Sequence, residues 1–127
     1  MIRRFGDPPT LPNGSSVPLT PAVESNGLIF VSGQLGFGSN GKLVDGGVAT
    51  QTAQAIENIK AVLESANTDL SGVVKVTGWL VQPEDFPEFN RVYASYFPVD
   101  PPARSMVVSQ LLIPDALVEL EAVASVP

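Results

Sequence analysis

The chain has 127 residues, 44% of them hydrophobic, with 13 acidic and 7 basic side chains and neither histidine nor cysteine. That length suits one domain, 1–127, with a sizeable core, and the missing residue types exclude disulfide frameworks, thiolate or histidine metal sites and every triad built on histidine. A net charge of −6 with scattered cations argues against a nucleic-acid surface, and no apolar run approaches the roughly 20 residues of a membrane helix.

Residues 1–16 are rich in Pro, Gly and Ser and read as a leader, loosely ordered unless docked. Asn13-Gly14-Ser15 matches a glycosylation acceptor, but no signal-peptide pattern precedes it, so the match is taken as chance and the expected compartment is cytoplasmic. Val17–Glu24 and Leu28–Ser32 then flank Asn26-Gly27, a hairpin signal because both turn residues must take positive φ. Pro18 and Pro21 lack an N–H and place the first of these strands at a sheet edge.

Gly36-Phe37-Gly38-Ser39-Asn40-Gly41 spells G-x-G-x-x-G after a strand. A dinucleotide cradle needs a helix to open directly behind it, and Lys42–Gly47 is a poor helix start, so the segment reads as a loop. From Val48 to Ala66 apolar residues recur at helical spacing, with Gln51, Gln54, Glu57 and Asn58 elsewhere on the wheel and Asn67 suited to the left-handed closing position. Val73–Val81 is a β-branched strand with Val74, Val76 and Leu80 on one face. Asp85 and Glu88 suit the start of a second helix, whose apolar stripe of Phe86, Phe89, Val92, Tyr93, Tyr96 and Phe97 ends before Pro98. Trp79, Phe86, Phe89 and Tyr93 read as core aromatics.

Pro101-Pro102 cannot continue a helix and delivers Arg104 to the mouth of a strand over about 104–112. The turn Ile113-Pro114-Asp115 separates it from a last strand, about 117–126, which carries Glu119 and Glu121 on one face. The resulting order β-β-α-β-α-β-β predicts an α+β fold, a sheet with two helices on one of its faces. Its strands are nevertheless apolar at both parities, Leu28 and Phe30 as well as Ile29 and Val31, Val107 as well as Met106 and Val108. A sheet wetted on one side should alternate, so the second face calls for a cover, and another copy of the chain is the simplest one.

Phe30-Val31-Ser32-Gly33-Gln34, Gln51-Thr52 with Asn58-Ile59, Val73–Thr77, Asp85-Phe86 with Asn90 and Tyr93, Pro102-Ala103-Arg104-Ser105 and Val118-Glu119-Leu120-Glu121-Ala122 together resemble the Rid (YjgF-type, reactive intermediate deaminase) family, over about 17–124. The resemblance implies a chorismate-mutase-like α+β fold with a mixed, mostly antiparallel sheet. It also implies a homotrimer with ligand clefts between subunits, and hydrolysis of small enamines or imines such as 2-aminoacrylate to a 2-keto acid and ammonia. No metal or cofactor is implied. The family arginine falls on Arg104, the glutamate on Glu119, and the serine and glycine of its S-G-Q on Ser32 and Gly33. Two departures make the pocket more apolar: Met106 stands where a cysteine is common, and Leu19 where a tyrosine is. They keep bulkier enamines, such as an aminomuconate, open as substrates.

The residue chemistry suits that role. A guanidinium takes a carboxylate bidentately and stays charged at any working pH, whereas the bland alternative pairs Arg104 with Asp100 or Asp115 at the surface. Glu119 would hold water and shuttle a proton, against a plain solvated face, and Glu121 reads as structural or inter-subunit. Gly33 allows close backbone approach and Ser32 adds a hydroxyl, against ordinary strand-end packing. The competing function is a non-catalytic sensor of small carboxylates using the same arginine. A ribonuclease or translation-inhibitor role fits the acidic charge poorly, and chorismate-mutase activity would rest on fold alone.

Overall fold

The docking that the leader requires is made by a short strand, β1 (Arg3–Phe5), paired antiparallel with β2 (Ala22–Ser25). Residues 1–16 are therefore not wholly loose; Arg3 lies over the Phe5 ring and 3.8 Å from Glu24. The computed structural model describes residues 1–11 and 13–127. Asn26 and Gly27 take φ of 53° and 79°, the primed turn their types favour, and reverse β2 into β3 (Leu28–Gln34). The first hairpin strand is shorter than expected, because 17–21, with two prolines, stays outside the ladder.

Helix α1 (Val48–Ser65) occupies the span its periodicity predicts, and Asn67 closes it at φ 62°. Gln51 departs from expectation: it is buried, donating from Nε2 to the Asp115 carbonyl at 3.1 Å and accepting from the Leu117 N–H at 2.8 Å. The glycine-rich segment is a closed loop, with Gly38 N–H donating to the Lys42 carbonyl and Val44 N–H to that of Gly36. It ends before the helix opens, and Asn58 Nδ2 pins it by donating to the carbonyls of Leu35 and Phe37, both at 3.0 Å.

Strand β4 (Val73–Leu80) begins with a bulge, so Val73 is buried and Val74 is exposed, the reverse of strict alternation. Helix α2 (Phe86–Tyr96) follows a 3₁₀ turn at Pro83–Asp85; Asp85 makes no side-chain cap, and Glu88 pairs with Arg91 instead. Strand β5 (Ala103–Val108) runs parallel to β4 at the sheet edge, and β6 (Val118–Ser125) enters between β3 and β4. The six-stranded order is β1-β2-β3-β6-β4-β5, antiparallel except at β4–β5. Strands β5 and β6 are thus not neighbours despite the short turn that joins them, because β4 lies between them. Both helices cover one face, and Ile29, Ile56, Leu63, Val76, Phe89, Val118 and Leu120 form the core beneath them.

Candidate functional site

Register decides which face each candidate residue uses. Arg104 pairs with Val76 and Met106 with Gly78, and Val76 and Gly78 face the helices, so Arg104 and Met106 do too. The Arg104 guanidinium carbon lies over three rings of α2, 4.7 Å from the centroid of Tyr93, 5.5 Å from Phe89 and 5.6 Å from Phe86. Among the described residues the ion pairs are Arg3–Glu24 and Arg91–Glu88; the alternative pairing of Arg104 with Asp100 or Asp115 is not made. The Met106 thioether fills the space above Gly78: a Cβ there would stand 2.5 Å from its Sδ and 2.7 Å from Leu120 Cδ2. Its side chain packs on the core.

Glu119 pairs with Trp79, one residue out of phase with the core positions, and so stands on the open face. Beside it β3 and β6 lose register between Val31 and Gln34, which brings Gly33 under the glutamate. A Cβ at Gly33 would overlap Glu119 Oε2, so the side chain rests on bare backbone. Ser32 spends its hydroxyl proton on the Thr20 carbonyl at 2.6 Å and its N–H on that of Pro21 at 2.9 Å. Those bonds hold the 19–21 segment, and with it the part-exposed Leu19, against β3. Burial, and secondarily the charge of Glu121, push the Glu119 carboxyl above the usual carboxylate range. A cavity of about 180 Å³ opens there, lined by Trp79, Ser109, Gln110, Leu111, Leu112 and Glu119.

Ser32, Gly33 and Glu119 thus lie together, with the Leu19 segment tied to Ser32, whereas Arg104 and Met106 lie together elsewhere. The two groups do not meet within the chain. Arg104 and Glu119 lie two strands and three residues apart in register, about 14 Å between Cα atoms from ordinary strand spacing and rise. They also point through opposite faces of the sheet, so the adjacency expected from their nearness in sequence is not formed inside one chain. Around Glu119 the open face exposes Phe30 and Val107 together with Lys75, whose Nζ donates to Ser105 Oγ at 3.1 Å.

Phe86, Phe89 and Tyr93 were legible only as core; their part in holding Arg104 was not. The available signal was the all-aromatic 86, 89, 93 spacing on the helix preceding the arginine strand. Among the described residues no three His, Cys, Asp or Glu side chains gather as metal ligands would, and no helix is long and apolar enough to cross a membrane.

The family described as Endoribonuclease L-PSP matches residues 13–126. The 2-iminobutanoate/2-iminopropanoate deaminase of Homo sapiens is 38% identical over 125 residues, covering 98% of this chain and 90% of its own. The 3-aminoacrylate deaminase RutC of Acinetobacter baylyi is 39% identical over 120 residues, covering 91% and 95%. A crystal structure of the Rid family protein YyfA from Yersinia pestis superposes with a TM-score of 0.88 at 32% identity, covering 99% of this chain and 100% of its own.

Proposed function

Since the chain belongs to the Endoribonuclease L-PSP (YjgF/Rid) family of deaminases, with its chorismate-mutase-like fold, we propose that it hydrolyses small 2-imino acids, or their enamine tautomers such as 2-aminoacrylate, to 2-keto acids and ammonia in clefts between the subunits of a homotrimer. The observation that carries this reading is the state of Arg104. Its guanidinium is held on ring faces and makes no ion pair among the described residues, so its positive charge is available to an anion.

An imine carbon next to a carboxylate is already electrophilic. The protein has three tasks: bind the carboxylate, orient a water, and move protons. Arg104 takes the carboxylate bidentately. Glu119 of the partner subunit takes a proton from the water as the water oxygen bonds to the imine carbon, and passes that proton on to the nitrogen. The carbinolamine then collapses; its C–N bond breaks, ammonia leaves and the 2-keto acid remains. Burial raises the Glu119 carboxyl above its ordinary value, which makes its carboxylate a stronger base for that proton than an ordinary glutamate. Two observations support a site shared between copies: Arg104 and Glu119 point through opposite faces of one sheet, and Glu119 sits on a face with exposed Phe30 and Val107 that a neighbour would cover.

The Trp79–Leu111–Leu112 wall beside Glu119 favours imines with hydrocarbon side chains and leaves room for bulkier enamines, whereas the Met106 side chain is taken up by the core over Gly78. The family's ribonuclease label finds little support in a net charge of −6 with scattered cations. The test is to generate imines from a panel of amino acids with an oxidase or lyase and follow their decay. The chain should accelerate it and Arg104→Ala should not. Tight binding of a 2-keto acid without acceleration would instead identify a carboxylate sensor and overturn the enzymatic reading.

A further inference from the structure

A guanidinium that must greet a carboxylate poses a design problem. An acidic partner would hold it still but also neutralise it, and bare solvent would leave its long side chain to wander through many rotamers. Ring faces solve both: the negative quadrupole attracts the cation through its flat side, and the N–H edge in the guanidinium plane stays free. Phe86, Phe89 and Tyr93 recur at i, i+3 and i+7 on α2, the spacing of one helix stripe. They form a ladder with centroid separations of 6.4 and 5.5 Å, extended to Phe97 at 4.7 Å from Tyr93. Core packing alone does not account for this arrangement, since Phe86 is 39% exposed and still lies 5.6 Å from the Arg104 carbon. The Tyr93 hydroxyl is buried with no hydrogen-bond partner, so what Tyr93 offers Arg104 is its ring.

We propose that this aromatic face of α2 is a positioning device for Arg104, which fixes the guanidinium while leaving its charge and its donor edge to the substrate carboxylate. It rests on the reading of Arg104 as carboxylate receptor and names what makes the residue competent. Phe86, Phe89 and Tyr93 are positioning residues that need not touch substrate.

The test compares Phe86→Leu, Tyr93→Leu and Tyr93→Phe by imine turnover and by calorimetric binding of a short 2-keto acid, with thermal melts as the folding control. Removing a ring face should raise KM and Kd by roughly 3- to 30-fold while kcat stays within about twofold. Tyr93→Phe should recover most of what Tyr93→Leu loses. Phe86→Leu keeps the test valid if Tyr93→Leu unfolds, because Phe86 is only partly buried. Unchanged KM and Kd in folded Phe86→Leu overturn the positioning role and leave Arg104 as receptor. A fall in kcat with KM unchanged, or a Tyr93→Phe as impaired as Tyr93→Leu, overturns it as well. A wild-type chain that neither binds the keto acid nor turns over any imine removes both ideas together.

Discussion

Gly33→Ala separates the placement of Glu119 from the stability of the fold. Gly33 has no positive φ, so alanine suits the backbone, and only the added methyl matters. That methyl would overlap Glu119 Oε2 and stand 3.2 Å from its Cδ and 3.5 Å from its Cγ. Restoring ordinary contact at about 3.5 Å requires the carboxylate to swing aside by on the order of 1 Å. A displacement of that size at a reacting group costs up to about 100-fold in rate. The fold pays little: the yielding atom is a side-chain tip, so overpacking sits near ~1 kcal/mol, and the lower chain entropy of unfolded alanine offsets about 0.4–1 kcal/mol. The expected result is kcat/KM for oxidase-generated imines down by roughly two orders of magnitude, with Tm within about 5 °C of wild type. A variant within threefold of wild-type kcat/KM would refute the placement of Glu119 over Gly33 as the source of its activity.

Mixing the inactive variants Arg104→Ala and Glu119→Gln in one refolded or co-expressed assembly should restore about a quarter of wild-type activity, since random neighbours rebuild that share of shared sites; no recovery would mean that each chain works alone. Glu119→Gln by itself should raise Tm at pH 7. The folded carboxyl has its pKa above the unfolded value, so its charged form is penalised above the folded pKa, and the gain should vanish below the ordinary glutamate range. The same upward shift places the acidic limb of the kcat/KM profile above the ordinary value, and Glu121→Gln should bring it part of the way back, burial being the larger cause. Val107→Asp, on the open face, should yield smaller species in light scattering while the far-ultraviolet spectrum is kept; an unchanged mass would count against that face as the interface. Gly78→Ala forces a methyl between Met106 and Leu120 and should destabilise by about 1–3 kcal/mol in denaturant titration.

What the sequence settled was local. Asn26-Gly27 had to turn because few other pairs accept two positive φ angles, and α1 had to be a helix because its apolar residues share one stripe. Two-sided apolar patterning also marks the open sheet face from the sequence alone. Within a single strand, alternation says that Glu119 and Glu121 share a side and that Arg104 and Met106 do. It says nothing of which side relative to another strand. That relation depends on register, and register here was set by remote pairings: β6 entering between β3 and β4, a bulge between Val73 and Lys75, and a slip between Val31 and Gln34. The burial of Gln51 depends on remote pairing in the same way, since its partners at Asp115 and Leu117 come from the far end of the chain. So do the pairing of β1 and the seating of Arg104 on α2. Backbone preferences act between adjacent residues and can be read from their order, whereas faces and partners are chosen by the packing of segments that meet only after the chain has folded.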